Sequence, residues 1–252
     1  MSGHSKWSTI KHKKAATDAR KGQQFTKVAR ELTIAAREGG GSPDANYRLR
    51  LAVEKARSVN MPQDNIKRAI MRGTGELAGS TIEELRFEGY GPHGVAIMVD
   101  TLTDNRNRTS SDVRNLFTRA GGNLGATGSV AWMFTRQGQI VVDAGRKDPD
   151  EVGLEAIELG ASDARVDGRT VEVVTDPSRL EAIRDSLKQK GYQVESAEVT
   201  MNASQLVNLD ESRAPSVLKL LDALEEHDDV QSVYSNVDVA AEVLERISER
   251  VS

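Results

Sequence analysis

The chain has 252 residues, 38% hydrophobic, 4% aromatic and 29% charged, with a formal net charge of −4. That length holds one large domain or two to three small ones, with aliphatic cores beneath a heavily ionised surface. The absence of cysteine excludes disulfides, thiol nucleophiles and Cys-based zinc sites and suits a reducing cytoplasm; no apolar run approaches the ~18 residues of a membrane span, and the basic N-terminus lacks the apolar stretch of a secretory signal.

The first stretch, GHSKWSTIKHKKAATDARKGQQFTKVAR (Gly3 to Arg30), carries Lys6, Lys11, Lys13, Lys14, Arg20, Lys21, Lys27 and Arg30 against one acid, Asp18, with Trp7 and His12 among them. From Gln24 to Glu38, Phe25, Val28, Leu32 and Ala35/Ala36 recur at helical spacing, and Gly39-Gly40-Gly41 ends the pattern. Ser42-Pro43-Asp44 supplies a cap hydroxyl, a proline and an acid for a second helix, which Leu49, Ala52, Val53 and Ala56 carry to about Asn60. Met61-Pro62 opens a short third helix with Ile66, Ala69 and Ile70 inward, stopped by Gly73 and Gly75. Residues 1–78 thus read as a basic three-helix bundle with an N-terminal tail.

Beyond Gly79 the period becomes two. Leu85–Glu88 and Val95–Val99 pair around the turn GYGPHG, Asn105–Ala120 is a helix with Val113, Leu116 and Phe117 inward, and Ser129–Phe134 reads as a third strand. Strand Gln139–Val142, helix Pro149–Leu159, strands Ala164–Asp167 and Thr170–Thr175, helix Pro177–Lys190 and strand Tyr192–Val199 follow in the order βαββαβ, a ferredoxin-like module with a tight turn at Asp167-Gly168. The stripe Val217, Leu220, Leu221 and Leu224 and the strand Val230–Val237 supply the helix and strand that the segment before the module lacks. The fold class is therefore α+β and multidomain: a ferredoxin-like domain, 136–201, inserted into a discontinuous middle domain, 79–135 and 202–240, with a tail helix at 241–252.

Charge divides unevenly along this order. Residues 1–73 hold 16 Lys and Arg against 6 Asp and Glu; the rest hold 18 against 32. A basic helical part joined to an acidic body suits a protein that turns one face to nucleic acid. The candidate contacts are Lys6, Trp7, Lys11, His12, Lys13, Lys14, Arg20, Lys21, Lys27 and Arg30, joined by Arg48, Arg50, Lys67, Arg68 and Arg72 on the helices. The Trp7 ring suits stacking on a base or docking onto the bundle. In TDNRNRTSSDVR (Thr103–Arg114), Asp104 or Asn105 serves as a helix cap; with Arg106, Asn107, Arg108 and Thr109 the same turn forms a possible phosphate-facing corner.

No catalytic set assembles. GYGPHG matches G-x-G-x-x-G, but strand follows strand and Pro92 sits inside, so it reads as a hairpin turn. GGNLGATGS (Gly121–Ser129) leaves a helix and enters a strand, the wrong order for a phosphate cradle, although its backbone N–H groups are open to a partner. His4, His12, His93 and His227 are scattered, with no metal-ligand spacing. The paired acids Glu83-Glu84, Glu225-Glu226 and Asp228-Asp229 lie at element ends and read as solvated surface. The expectation is a non-enzymatic protein without metal or cofactor; an enzyme would need a small-molecule pocket between the α+β domains near Arg106 and Arg108.

GHSKW, the KHKK run, ARELTIAAREGGG, NMPQDNIKRAI with RGTGE, EGYGPHGVA, TDNRNRT and GGNLGATGSVAW together resemble the YebC/PmpR family over essentially the whole chain. The resemblance implies a helical N-terminal domain followed by two α+β domains, one inserted in the other, and a non-enzymatic regulator of gene expression. Bacterial members are described as DNA-binding transcriptional regulators and have also been placed at the ribosome, relieving stalls on proline-rich sequences. Mitochondrial relatives look like translational activators for cytochrome c oxidase subunit I. The implied partner is nucleic acid, DNA or ribosomal RNA, with no membrane and no oligomeric state specified. Two departures are visible: His93 stands where glycine is common, and Asn202-Ala203 where proline is common.

Overall fold

The computed structural model describes Trp7 and residues 18–250, except for the side chains of 18–21 and 250. They divide into two compact units, one formed by 132–205 and the other by the remaining described residues.

The larger unit begins with helices α1 (Asp18–Gly39), α2 (Tyr47–Ser58) and α3 (Gln63–Thr74). Val28, Leu32, Ala35 and Ala36 of α1 pack against Leu49, Ala52, Val53 and Ala56 of α2 and Ile66 and Ala69 of α3. The cap of α2 is Asn46 rather than Ser42: its Oδ1 accepts from the Leu49 N–H, and its amide donates to the carbonyls of Ala35 and Gly40. One side chain thereby starts α2 and ties down the end of α1, while Ser42 belongs to the turn before the helix, its carbonyl accepting from the Ala45 and Asn46 N–H groups. Gly73 does not stop α3. The helix runs through it because a Cβ there would stand 2.3 Å from the Thr33 carbonyl of α1, so glycine permits close helix packing. Gly75, at φ 82°, is the left-handed cap.

A four-stranded antiparallel sheet follows in the order β3-β1-β2-β9, from β1 (Glu83–Tyr90), β2 (Ala96–Thr103), β3 (Asn123–Leu124) and β9 (Val230–Ser235). The β1–β2 connection is the hairpin expected for GYGPHG, with His93 at φ 61°. That left-handed conformation is one glycine adopts without a Cβ penalty, so His93 holds it at some cost. Helices α4 (Arg106–Arg119), α7 (Ala214–Glu225) and α8 (Ala241–Arg250) contribute Val113, Phe117, Val217, Leu221, Leu224, Leu244 and Ile247 to a core with Ile97 and Val99 of the sheet and Val95 just before β2. Helix α1 has a second apolar face: Ile34 packs with Ile82 and Leu102 of the α+β part, a contact outside the stripe read from the sequence.

Ser129–Met133 is not a strand, and Phe134 belongs to the strand that follows. The chain instead pairs briefly with β1 through Asn123-Leu124, turns, and makes a short 3₁₀ segment at Ala131–Met133. The reason lies in Glu88, which takes the amides of Gly128, Val130 and Ala131 and leaves them unavailable to a neighbouring strand.

The smaller unit contains β4 (Phe134–Asp143), α5 (Pro149–Glu158), β5 (Asp163–Asp167), β6 (Thr170–Thr175), α6 (Leu180–Gln189) and β7 (Gln193–Ala203). Its sheet order, β5-β6-β4-β7 with every pair antiparallel, is the ferredoxin-like arrangement. Ile140, Val142, Val152, Ala156, Val171, Val173, Ile183 and Leu187 fill the space between sheet and helices. After it, β8 (Val207–Asn208) pairs in parallel with β10 (Val237–Asp238) in the larger unit.

Candidate nucleic-acid interface

Helix α3 turns Ile66 and Ala69 inward, which leaves Lys67, Arg68 and Arg72 exposed. None of the three forms an ion pair among the described residues. Arg68 and Arg72, four residues apart, share one face and present their charge together. Lys6, Lys11, His12, Lys13 and Lys14 lie outside the described residues, as do the side chains of Arg20 and Lys21.

The other predicted cations with described side chains are engaged within the chain. Lys27 donates from Nζ to the Glu225 carbonyl at 2.5 Å; burial lowers its pKa against the opposing pull of Glu225 and Asp228. Arg48 bridges Glu38 and Glu84, and these partners overcome burial to raise its pKa. Arg50 is half-buried and engaged within the chain. Arg30 pairs with Asp229 at 2.7 Å and also donates to the Asp228 carbonyl. Of the four bonds that Lys27, Arg30 and Arg48 send to the α+β part, two end on carboxylates, Asp229 and Glu84, and two on the backbone carbonyls of Glu225 and Asp228, so charge asymmetry along the chain is used partly to hold the bundle in place.

Asp229 corrects the reading of the paired acids as solvated surface: it is 1% exposed. Oδ1 meets Arg30, while Oδ2 meets Arg108 at 2.8 Å and accepts from the hydroxyls of Thr109 at 2.6 Å and Thr103 at 3.3 Å. Its carbonyl accepts from the Leu102 N–H. Burial opposes its ionisation, but Thr109, Arg108 and Arg30 outweigh that and hold the carboxyl below the usual range. The Asp229 N–H donates to His227 Nδ1, which places that ring's proton on Nε2, 3.3 Å from Asp112.

The Thr103–Arg114 turn is therefore a cap and an anchor. Asn105 Oδ1 accepts from the Arg108 N–H as the helix cap, Thr109 is buried, and the Arg108 guanidinium points to Asp104 and Asp229; only Arg106 and Asn107 remain of the expected corner with exposed side chains and no bond inward. Trp7 is corrected as well. It is 6% exposed within the α+β core and its Nε1–H donates to Asp222 at 3.0 Å, so its ring has no free face for a base and does not belong to the bundle core.

The signature of the TACO1/YebC protein N-terminal domain matches residues 5–76, and that of the TACO1/YebC second and third domain matches 82–237. The chain belongs to the TACO1/YebC family. A relative from Dictyoglomus turgidum is 51% identical over 249 residues, covering 98% of this chain and 100% of its own. One from Chloroflexus aggregans is 53% identical, covering 98% and 99%. Both bear the name probable transcriptional regulatory protein. The crystal structure of a conserved hypothetical protein from Aquifex aeolicus is similar, with TM-score 0.83 and 46% identity over 92% of this chain and 96% of that one.

In this TACO1/YebC chain, sequence reasoning missed Asp229, just before β9, and Glu88, inside β1. Glu88 is 3% exposed, and its two oxygens accept from Gly128, Val130 and Ala131 at 2.8–2.9 Å. Burial would raise its pKa, but these three donors, with Arg86 nearby, hold it low. Within the glycine loop, the Gly128 N–H goes to the Glu88 carboxylate and the Gly125 N–H to its carbonyl, while those of Gly121, Gly122 and Ser129 go to the carbonyls of Thr118, Phe117 and Ala126, so these five amides are not open to a partner. The signal available was an acid within a strand, in a chain that also holds a glycine-rich loop whose N–H groups need acceptors. We expect Glu88→Gln to cost about 2 kcal/mol at pH 7, since one side-chain amide cannot accept from three donors with a full charge. Because the folded pKa is depressed, the carboxylate stabilises above its unfolded value near ~4.3 and loses that contribution as pH falls through the folded value. Urea midpoints of wild type and variant should differ at neutral pH and converge in that acid window; a constant gap would show that the charge is not what matters.

Proposed function

We propose that the chain is a nucleic-acid-binding regulator of gene expression, specifically a DNA-binding transcriptional regulator of the kind its relatives' names describe. The observation that carries this reading is the set of exposed cations on α3, Lys67, Arg68 and Arg72, left without ion pairs among the described residues while Lys27, Arg30 and Arg48 are used inside the fold. The basic segment before α1, with Lys6, Lys11, His12, Lys13 and Lys14, adds phosphate contacts in the same reading. The test is fluorescence titration of a labelled duplex across a salt series. Changing Lys67, Arg68 and Arg72 to Ala together should reduce the slope of log affinity against log salt by about 2–3 and weaken binding ~100-fold at low salt. An unchanged slope would place the contact elsewhere.

One observation favours a second reading, a ribosome-associated translation factor. A recognition helix reads bases with its N-terminal end, yet that end of α3 exposes Gln63, Asp64 and Asn65, with an acid among them, and carries its cations further along. Such a surface holds phosphate with little sequence preference, as ribosomal RNA offers. Sedimentation of lysate through sucrose gradients separates the two: co-migration with ribosomes, lost in the triple variant, supports translation, whereas absence from ribosomes with a salt-stable preference for one duplex supports transcription.

A further inference from the structure

We propose that the free edge of β5, with the flank of α5 that overhangs it, is a docking site for a basic, extended protein segment that adds a strand to the ferredoxin-like sheet. In the order β5-β6-β4-β7, β5 is hydrogen-bonded on one side only among the described residues. Three large apolar side chains are exposed near that edge: Leu154 at 66%, Ile157 at 42% and Val166 at 44%.

Their placement follows from periodicity. Helix α5 buries Val152, Gly153 and Ala156, and Gly153 stands over β5, where a Cβ would meet the Ala164 methyl at 3.5 Å. Residues succeed one another by about 100° around a helix. Ile157, about 40° past Gly153 on the side away from Val152, therefore overhangs the sheet's last strand, and Leu154, about 100° past it, lies on the helix's outer flank on the same side. Val166 shares a sheet face with Ala164, two residues away, and stands opposite the fully buried Val171 of β6. It continues the core outward with nothing over it among the described residues. An edge strand is ordinarily blunted by charge; here Asp163, Arg165 and Asp167 alternate onto the other face, and the helix-facing side stays apolar.

Charge selects the occupant. Asp150, Glu151 and Glu158 are exposed on α5 beside Leu154 and Ile157, and Asp167 is exposed on β5. Arg165 is the basic residue of the strand and is already paired with Asp163 at 3.0 Å. A second copy of this chain, pairing β5 with β5 about a two-fold axis, would bring two acidic flanks together. A segment alternating basic and apolar residues satisfies the edge by backbone bonds, seats its apolar side chains on Leu154, Ile157 and Val166, and meets the carboxylates at the rim.

The test uses the full chain and a fluorescent peptide of about ten residues alternating Lys and Val, with an alternating Glu and Val peptide as control. Anisotropy should show binding of the Lys peptide alone, weakened by salt, and hydrogen exchange should show protection of the 163–167 amides on binding. Leu154→Ser with Ile157→Ser, both at exposed positions, should raise Kd at least about tenfold with the melting temperature nearly unchanged. Equal binding of the acidic peptide, binding without protection at 163–167, or no binding near 1 mM peptide would overturn the proposal. So would dimerisation of the free chain with protection of the same amides, which would give the edge to a second copy.

Discussion

Replacing Asp229 by Ala should destabilise the larger unit by about 3 kcal/mol and loosen the bundle from the sheet. The carboxylate is 1% exposed and joins three elements: Arg30 of α1, Arg108 and Thr109 of α4, and Thr103 at the end of β2. Deleting one member of a buried charge network costs several kcal/mol because the partners lose both pairing and solvation. The lower end applies here, since the Arg108 side chain is 46% exposed and regains water when released, while Arg30 at 18% regains less. Asp229→Asn should cost less, as the remaining oxygen still accepts from Thr109. The checks are urea denaturation and hydrogen exchange along α1, where amide protection should fall before global unfolding. A double-mutant cycle with Arg30→Ala should return a coupling of about 1 kcal/mol or more. Additive effects would mean that Asp229 acts through Arg108 and the threonines rather than through Arg30. The depressed carboxyl pKa fixes the sign of the pH dependence: this stabilisation is present above the unfolded value near ~3.9 and is lost as pH falls through the folded value.

Trp7→Ala should cost about 3–4 kcal/mol, the range for deleting a large buried aromatic side chain. Trp7→Phe should cost about 1 kcal/mol, mainly from leaving Asp222 without the indole donor. The chain has two tryptophans, and Trp132 is 66% exposed, so the unfolding change in emission should belong mostly to Trp7 and vanish in the Phe variant. A stacking tryptophan would behave in the opposite way, with weakened nucleic-acid binding and unchanged stability. Duplex titration and urea melts on the same two variants distinguish these outcomes.

The sequence by itself determined the elements with a regular period and a clear stop. The bundle stripes at Val28–Ala36 and Leu49–Ala56, the βαββαβ order and the hairpin at GYGPHG follow from apolar spacing and turn chemistry, which act over a few residues. The charge asymmetry was equally legible, being a count. Only the tertiary structure decided what each charge does. Lys27, Arg30 and Lys67 look alike in the sequence, yet the first two are held by Glu225 and Asp229, some 200 residues away, and the third remains exposed. Glu88 likewise cancels a strand at Ser129–Met133 by taking amides about 40 residues distant. The physical reason is the same throughout: a backbone period is a local property, whereas a charge or a lone N–H is satisfied by whichever group the fold brings within 3 Å.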